Sequence, residues 1–396
     1  MEILRDLKEQ FPKNEWLGHL TKTDQCEALC LLLENEEFDD NAVNYGFKEA
    51  LFNMVPRCLD SIAKYALKRG VTFSLANPYN FLFTTGKRSR KNRLAECTKV
   101  LIDSGFDLEE NASETGWYPL YTLMKHAQET CTRGESLEAE LTSLLLLLEA
   151  GADPNFRFGP RLSLRKYQVG SATEALARGL RLCRPYGLSL EYHKHVSQSI
   201  LLLVKYGCDM SKPYNNCQSI LIDYLQHAEQ IYQYLTEEII INALPSFQKT
   251  IGCLIYGGAN LHYRTEKNDL PFTVFAKCLC STFDWHQGKY DDQHLLDTTE
   301  NLLESVCKFL KFMNKTEARE VLKQSLSHID SYNNGDKWKE FRGIFEEKFQ
   351  KYLSSFLPLK TICLVKVWKC AGKGFDQLHL PRTFKNSIKE MLYVTF

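Results

Sequence analysis

Cysteine and histidine pairs are the residues of this 396-residue chain whose spacing comes nearest to that of a metal site. Cys278 and Cys280 form a Cys-x-Cys pair, and His193 and His195 form a His-x-His pair. A structural zinc ion needs four ligands, and neither a second cysteine pair nor a His-x-x-x-His segment completes such a set. We therefore interpret the cysteines as core residues and the histidines as surface residues, and we expect no bound metal.

Motifs that bind nucleotides or activate a nucleophile do not occur in the sequence. There is no Gly-x-x-x-x-Gly-Lys-Ser/Thr segment, no Gly-x-Gly-x-x-Gly segment after a strand pattern and no Gly-x-Ser-x-Gly segment. Ala371-Gly372-Lys373-Gly374 is a turn bracketed by glycines, without the strand that a phosphate-binding loop would follow. We expect neither a catalytic residue nor a cofactor.

Charge and hydropathy exclude two classes of partner. Lysine plus arginine and aspartate plus glutamate both number 49, so no net charge attracts nucleic acid or acidic lipid over a distance. The longest apolar run, Leu144–Leu148, is far shorter than the roughly 20 residues that cross a bilayer. The first residues lack the basic start and apolar stretch of a secretion signal, so the sequence predicts a reduced, cytoplasmic protein despite its 14 cysteines.

One strongly basic run, Lys87–Arg93, leaves two interpretations open. It has the composition of a nuclear localisation signal, which would add a nuclear location, or of a contact for an acidic partner. It also fits a solvated loop between two helices, and we favour that interpretation because charge runs are commonly solvated.

A short phrase recurs along the chain, an apolar helix that ends in Leu-apolar-x-x-Gly-x-Asp or Asn. The phrase occupies 101–107, 147–153, 203–209 and 254–260, with a fainter copy at 66–70. Glycine adopts the left-handed conformation that commonly ends a helix, because it has no Cβ. We therefore predict that helices stop at Gly105, Gly151, Gly207 and Gly258.

Proline-led helices follow several of these stops, at Pro119 and Pro271, where a first-turn proline loses no hydrogen bond. Helix, glycine stop, loop and proline-led helix together resemble the ankyrin repeat over residues 41–280. The steps from Gly70 onward are 35, 46, 56 and 51 residues, whereas the ankyrin period is about 33. We therefore expect insertions, and the polar segments 128–138, 155–170 and 181–191 are suited to hold them.

A second set of residues, near the end of the sequence, has the spacing of a protein-docking code. In Pro358-Leu359-x-x-x-Cys363-x-x-x-Val367, side chains four residues apart share one helical face. A segment with recurring apolar residues follows, and its matching positions are Phe375, Leu378, Leu380, Pro381 and Phe384.

This pair of segments resembles a SOCS box. The resemblance implies that Pro358, Leu359, Cys363 and Val367 bind elongin C, and that the second set contacts a cullin. His379 stands where that family has a proline, and Ser387 where it has an aromatic residue. The elongin part of the resemblance is therefore closer than the cullin part.

The expected fold is all-α, an ankyrin-repeat-like helical solenoid with irregular, extended repeats and a C-terminal three-helix module similar to a SOCS box. Residues 1–40, with a helix at Cys26–Leu33, form a degenerate N-terminal cap, and residues 41–280 form the repeats. Residues 281–356, with helices at 295–312, 318–329 and 338–356, cap the repeats, and 357–396 form the box. Such capping units are commonly atypical, because one of their faces meets solvent.

The resemblance implies an adaptor that binds elongin C, elongin B and a cullin, of the fifth type by preference, which brings a RING protein. The repeats would then hold an unknown protein substrate. Aromatic residues dominate interface energetics, and the candidates for this contact are Trp117, Tyr118, Tyr121, Phe156, Phe158 and Tyr214. Each of them could equally pack between repeats.

A different class of function also fits the sequence. The chain could be a non-catalytic ankyrin scaffold without a link to ubiquitin ligases, whose C-terminal helices only cap the repeats. An enzyme on a helical scaffold is a third option, for which the sequence shows no polar pocket. Whether the face bearing Leu359 and Cys363 is open or packed inward distinguishes the first two.

Overall fold

The structure is a computed structural model, and it describes residues 2–75, 77–86, 88–109, 118–131, 137–156, 171–182, 190–211, 219–232, 237–286, 292–332, 335–354 and 359–392. Over these ranges the chain is all-α, as expected, and contains no strand. None of the helices in these ranges is long and apolar enough to span a bilayer.

Contacts divide the chain into two units, Met1–Ala175 and Leu176–Phe396. The helices up to the end of the first unit are α1 (Glu2–Gln10), α2 (Trp16–Lys22), α3 (Cys26–Asn35), α4 (Asp40–Phe52), α5 (Pro56–Arg69), α6 (Pro78–Thr85), α7 (Leu94–Asp103), α8 (Pro119–Cys131) and α9 (Glu138–Glu149). They are followed by α10 (Ala172–Leu182), α11 (Leu190–Lys205), α12 (Ile220–Tyr232), α13 (Glu237–Tyr256), α14 (Pro271–His286), α15 (Asp292–Cys307), α16 (Lys315–Ile329), α17 (Asp336–Ser354), α18 (Leu359–Ala371) and α19 (Arg382–Met391).

Helices of the first unit are arranged as pairs that stack in two rows. One row contains α2, α4, α6 and α8, and the other contains α3, α5, α7 and α9, each helix contacting the next member of its row. The two members of each pair also contact each other. Phe47 of α4, Ile62 of α5 and Leu82 of α6 are fully buried between them. Because each pair is amphipathic, its apolar faces are covered only by its neighbours in the rows.

Helix pairs of the second unit follow the same rule. Here α12, α14 and α16 form one row, and α11, α13, α15 and α17 form the other. Large buried aromatic residues join the rows, since Tyr224 of α12 stacks on Phe247 of α13 at 5.9 Å and Phe247 lies 5.8 Å from Phe275 of α14. The pairs continue beyond residue 280, where the repeat phrase of the sequence ends.

The stop glycines end their helices in the left-handed conformation, as predicted. Gly70, Gly105, Gly151, Gly207 and Gly258 have φ between 68° and 98°. After α9, for example, the glycine N–H donates to the Leu148 carbonyl at 3.1 Å and the next N–H donates to the Leu147 carbonyl at 3.0 Å. These two bonds satisfy carbonyls that would otherwise lack a partner at the helix end.

Two helices end in the same way without a glycine. Asp24 after α2 and Met54 after α4 have φ of 60° and 49°. The N–H of Asp24 donates to the Thr21 carbonyl at 3.2 Å, and that of Met54 to the Leu51 carbonyl at 3.2 Å. The repeat phrase does not predict these two stops, because it requires glycine at the stop and other residues uncommonly adopt this conformation.

Most predicted helix limits agree with the structure. Helix α3 covers the predicted Cys26–Leu33, and α8 and α14 begin at Pro119 and Pro271. The predicted helices at 295–312, 318–329 and 338–356 correspond to α15, α16 and α17. The expected insertions are partly helical at their ends, in α8, α9, α10 and α11, and residues 132–136, 157–170 and 183–189 lie outside the described ranges.

The basic run lies between α6 and α7, and the interpretation of it as solvated was wrong for Lys91, whose side chain is largely buried. Arg88–Arg93 forms two short 3-10 turns with a kink at Arg90, and Arg90 and Arg93 lie 3.7 and 2.8 Å from the Asp24 carboxylate. Lys91 lies 2.7 Å from Glu140 of α9, and the two side chains are only 11% and 1% exposed. Burial raises the pKa of Glu140, and Lys91 opposes this effect.

Candidate functional site

The C-terminal module, residues 359–392, contains the segment that the sequence singled out for docking. It consists of α18, a 3-10 helix at Gly372–Gln377 and α19. Helix α18 contacts both of the other elements, and it also contacts the 3-10 turn Leu310–Phe312 that follows α15. One side of α18 therefore packs against the preceding helices of the second unit, to which the module belongs.

The inner face of α18 is apolar and buried. Leu364, Val365 and Trp368 are buried, and the Trp368 ring stacks on Tyr256 at the end of α13 with centroids 5.5 Å apart and planes 18° apart. Aromatic pairs in this geometry contribute more than their buried area alone. These side chains fix which way the helix faces.

The outer face of α18 bears the predicted elongin residues that the structure describes. Cys363 and Lys366 are exposed and Val367 is half-buried. Leu359 is the first residue of α18, but its side chain lies outside the described part of the chain, as does Pro358. The face that carries Cys363 is thus open to solvent at that residue.

The predicted cullin residues lie in and after the connection to α19. Leu378 is 41% exposed, Pro381 is exposed, and Leu380 and Phe384 are half-buried. A tight turn shapes the connection, because the Leu380 N–H donates to the Leu378 carbonyl at 2.8 Å. The side chain of Phe375 is outside the described part.

Asp376 joins this connection to α13. Its carboxylate accepts a hydrogen bond from the Tyr256 hydroxyl and lies 3.5 Å from the Lys389 ammonium of α19. The Asp376 carbonyl accepts a further bond from Lys385. Burial, together with the bond to the carboxylate, raises the pKa of Tyr256 above its ordinary value. The hydroxyl therefore remains protonated and acts as the donor.

A close backbone approach fixes the end of the module. A Cβ at Gly252 of α13 would lie 2.9 Å from the Leu392 carbonyl carbon, and closer still to its oxygen. Leu392 and Ile388 are fully buried. Only glycine leaves room for this contact, since real Cβ atoms do not approach a carbonyl so closely.

Of the substrate candidates that the structure describes, two are buried and one is half-buried. Tyr118 and Tyr121 of the first unit are buried, and the Tyr118 hydroxyl accepts a bond from the Ala172 N–H at 2.6 Å. Phe156 is half-buried and packs edge-on against Tyr118 at 5.3 Å. These three residues fit the packing alternative. Trp117, Phe158 and Tyr214 lie outside the described residues.

Cys280 is a core residue, as interpreted. It is buried, and desolvation raises the pKa of its thiol to about 12, whereas a metal-binding thiol is held as thiolate. Cys278 is half-buried. His195 is buried, so the expectation of a surface histidine was wrong for it, while His193 has no described side chain. Among the described residues, no cluster of three His, Cys, Asp or Glu side chains could hold a metal ion.

Sequence reasoning missed Tyr256, Asp376 and Gly252. One signal for Tyr256 was present, because the other copies of the stop phrase have a charged residue two positions before the glycine, Asp103, Glu149 or Lys205. An aromatic residue at such a position indicates a contact that the other copies do not make. Asp376 and Gly252 gave no comparable signal.

No protein-family model matches this chain, and no curated protein matches it significantly. The likeness to the ankyrin repeat and to the SOCS box therefore rests on the motifs quoted from the sequence.

Proposed function

We propose that this protein is a substrate-recognition adaptor of an elongin–cullin–RING ubiquitin ligase. In this proposal the stacked helix pairs are ankyrin-type repeats that form a solenoid and hold the target protein. The C-terminal module acts as a SOCS box that binds elongin C with elongin B, and a cullin of the fifth type with its RING protein. The ligase chemistry belongs to those partners.

The observation that carries the proposal is that one face of α18 is packed, while the face that bears Cys363 is open. Leu364, Val365 and Trp368 are buried against the second unit, whereas Cys363 is exposed. A helix that only caps the repeats would not require apolar residues at four-residue spacing on its solvent side. An apolar face left open on a helix that is anchored by its other face is typical of helix-in-groove recognition.

The helix geometry agrees with a single docking face. Leu359, Cys363 and Val367 are four residues apart and all belong to α18, so they lie one above another along the helix. Helix-in-groove partners are recognised through anchors at this kind of spacing. Val367 is half-buried, so in this proposal it would contribute the edge of the docking face.

Exposed apolar residues support the cullin part of the proposal. Leu378 is one of few large apolar side chains that are exposed among the described residues. Pro381 is also exposed, and Leu380 and Phe384 are half-buried; we call these four residues, which lie within 378–384 of the sequence, the apolar row. Such a row is suited to a protein contact.

The test is co-purification of the full chain with elongins B and C, comparing the wild type with Leu359→Ala/Cys363→Phe. The double substitution removes apolar contact at one anchor and overfills the other, so binding should fall at least tenfold. A matched control is Glu390→Ala on α19, whose exposed side chain belongs to neither predicted set of docking residues. We expect the control to bind like the wild type.

Equal recovery of both elongins with the double variant and with the wild type would refute the proposal. The scaffold alternative would then remain. Circular dichroism of each variant shows whether α-helix content is unchanged, so that lost binding is not mistaken for lost folding.

A further inference from the structure

The cullin segment, residues 375–384, is tied to the repeats by a residue far away in sequence. Tyr256 of α13 and Asp376 are 120 positions apart, and the tyrosine hydroxyl donates to the aspartate carboxylate. The ring of the same tyrosine stacks on Trp368 of α18. One side chain therefore contacts both halves of the C-terminal module.

The surroundings of Tyr256 show that this contact is built into the packing. Tyr256 is 7% exposed, and the Lys389 ammonium lies 5.8 Å from its ring centroid and 3.5 Å from Asp376. Lys385 donates to the backbone carbonyl of Asp376. The aspartate is thus held by α13 on one side and by two lysines of α19 on the other.

Asp376 is only two residues before Leu378, so fixing the one restricts the other. With Asp376 held against α13, the side chains of Leu378 and Pro381 are exposed. The anchored position is therefore compatible with binding, because it leaves the apolar row accessible.

We propose that Tyr256 is a positioning residue for cullin docking, which holds the cullin segment through Asp376 in the orientation that exposes Leu378 and Pro381. This inference rests on the proposed function. A residue of the repeats, outside the box itself, then sets the cullin affinity. If the segment occupies the anchored position only a tenth of the time without this bond, the apparent affinity falls about tenfold.

The experiment uses the full chain loaded with elongins B and C, titrated with the N-terminal domain of the fifth-type cullin by calorimetry. Tyr256→Phe removes the hydroxyl and keeps the ring on Trp368. We expect about tenfold weaker cullin binding, or ~1.4 kcal/mol, with unchanged elongin affinity and unchanged melting temperature. Tyr332→Phe is the matched control, because Tyr332 also stacks on a tryptophan, Trp338, at 4.5 Å and 18°.

A double-mutant cycle separates positioning from general stability. Asp376→Ala should weaken cullin binding as much as Tyr256→Phe, and the two together should do no more than either alone. Additive effects, or a cullin affinity unchanged by Tyr256→Phe, would overturn the proposal.

Hydrogen exchange of the chain without partners makes failure of the two proposals distinguishable. Tyr256→Phe should speed exchange at 374–380 and leave the rest of α18 as it is. Unchanged exchange there means that the bond does not position the segment. If exchange changes but the wild type binds no elongin, the anchor exists, and both the adaptor function and the role of the anchor in cullin docking are refuted.

Discussion

Replacing Lys91 with methionine should destabilise the first unit strongly at neutral pH and only weakly at acidic pH. Lys91 is 11% exposed and Glu140 is 1% exposed, and their charged atoms are 2.7 Å apart. Removing one partner of a buried ion pair leaves the other charge without compensation, which typically costs about 3–5 kcal/mol. His126, 4.0 Å from Glu140, is a second group near this carboxylate that can become positive.

The free energy of protonating Glu140 sets an upper limit on the stability lost in this variant, and that limit depends on pH. Without Lys91, the buried Glu140 can avoid its charge by taking up a proton, and its pKa, already raised by burial, rises further. An ordinary glutamate has a pKa of about 4.3, so protonation at pH 7 costs ~3.7 kcal/mol at ~1.36 kcal/mol per pH unit. At pH 5 the same step costs ~1 kcal/mol. In this variant the pKa of Glu140 is higher in the folded state than in the unfolded state. The stability that proton uptake provides is therefore complete below the unfolded-state pKa, and it is lost as pH rises through the folded-state pKa.

The assay is hydrogen exchange of α7 and α9 in the full chain, measured as a function of urea concentration at pH 7 and at pH 5. It gives the free energy of opening of this region at each pH. We expect Lys91→Met to lose about 3 kcal/mol at pH 7 and about 1 kcal/mol at pH 5. The control is Lys64→Met, because the Lys64–Asp60 distance is also 2.7 Å but the side chains are 73% and 39% exposed. That exposed pair should contribute little to stability at either pH, because solvent screens it.

A loss that is equal at the two pH values would refute the reasoning, as would a Lys91→Met protein as stable as the Lys64→Met control. The double variant Lys91→Met/Glu140→Leu gives a second check. Because it removes both charges from the interior, it should recover most of the lost stability.

Three further predictions concern backbone geometry and the C-terminal module. Gly151→Val should lower the free energy of opening of α9 by ~1–2 kcal/mol, because a side chain at φ of 98° is strained even though the space around it is open. The control Gly151→Asn should lower it less, since asparagine tolerates this conformation better. Equal opening free energies for the two variants would contradict the assignment of Gly151 as a helix stop. Gly252→Ala should speed hydrogen exchange at 385–392, since its Cβ displaces the Leu392 carbonyl, whereas Gly343→Ala, with nothing within 4 Å, should not. His379→Pro with Ser387→Tyr should tighten cullin binding to the elongin-loaded chain in calorimetry, and no gain would mean that these departures are compensated elsewhere.

Local rules predicted the features that depend on a few consecutive residues. The stop glycines were predictable because the left-handed end of a helix depends only on the glycine itself and on the two helical turns before it. Pro119 and Pro271 were predictable as helix starts for the same local reason. The stops at Asp24 and Met54 were not, because a residue other than glycine at such a position does not by itself indicate the left-handed conformation.

Contacts between distant segments could not be predicted from spacing. The basic run is an example, since its composition indicates solvation, yet Lys91 is paired with a carboxylate of α9. Tyr118 and Tyr121 are another, because an aromatic residue in a repeat has the same sequence appearance whether it faces a partner or a neighbouring helix. Periodicity gives the face of a helix but not the element that covers it.

Helix α18 shows how the two kinds of information combine. Its sequence, Leu359 to Ala371, has apolar residues on opposite sides, so that its periodicity alone is equally compatible with a buried core helix and with a docking helix. The structure assigns Leu364, Val365 and Trp368 to the packed side, where Tyr256 covers Trp368. Cys363 is left on the open side. In the proposed function, this open side is the one that a partner's groove would cover, which would bury apolar surface that is otherwise exposed to water.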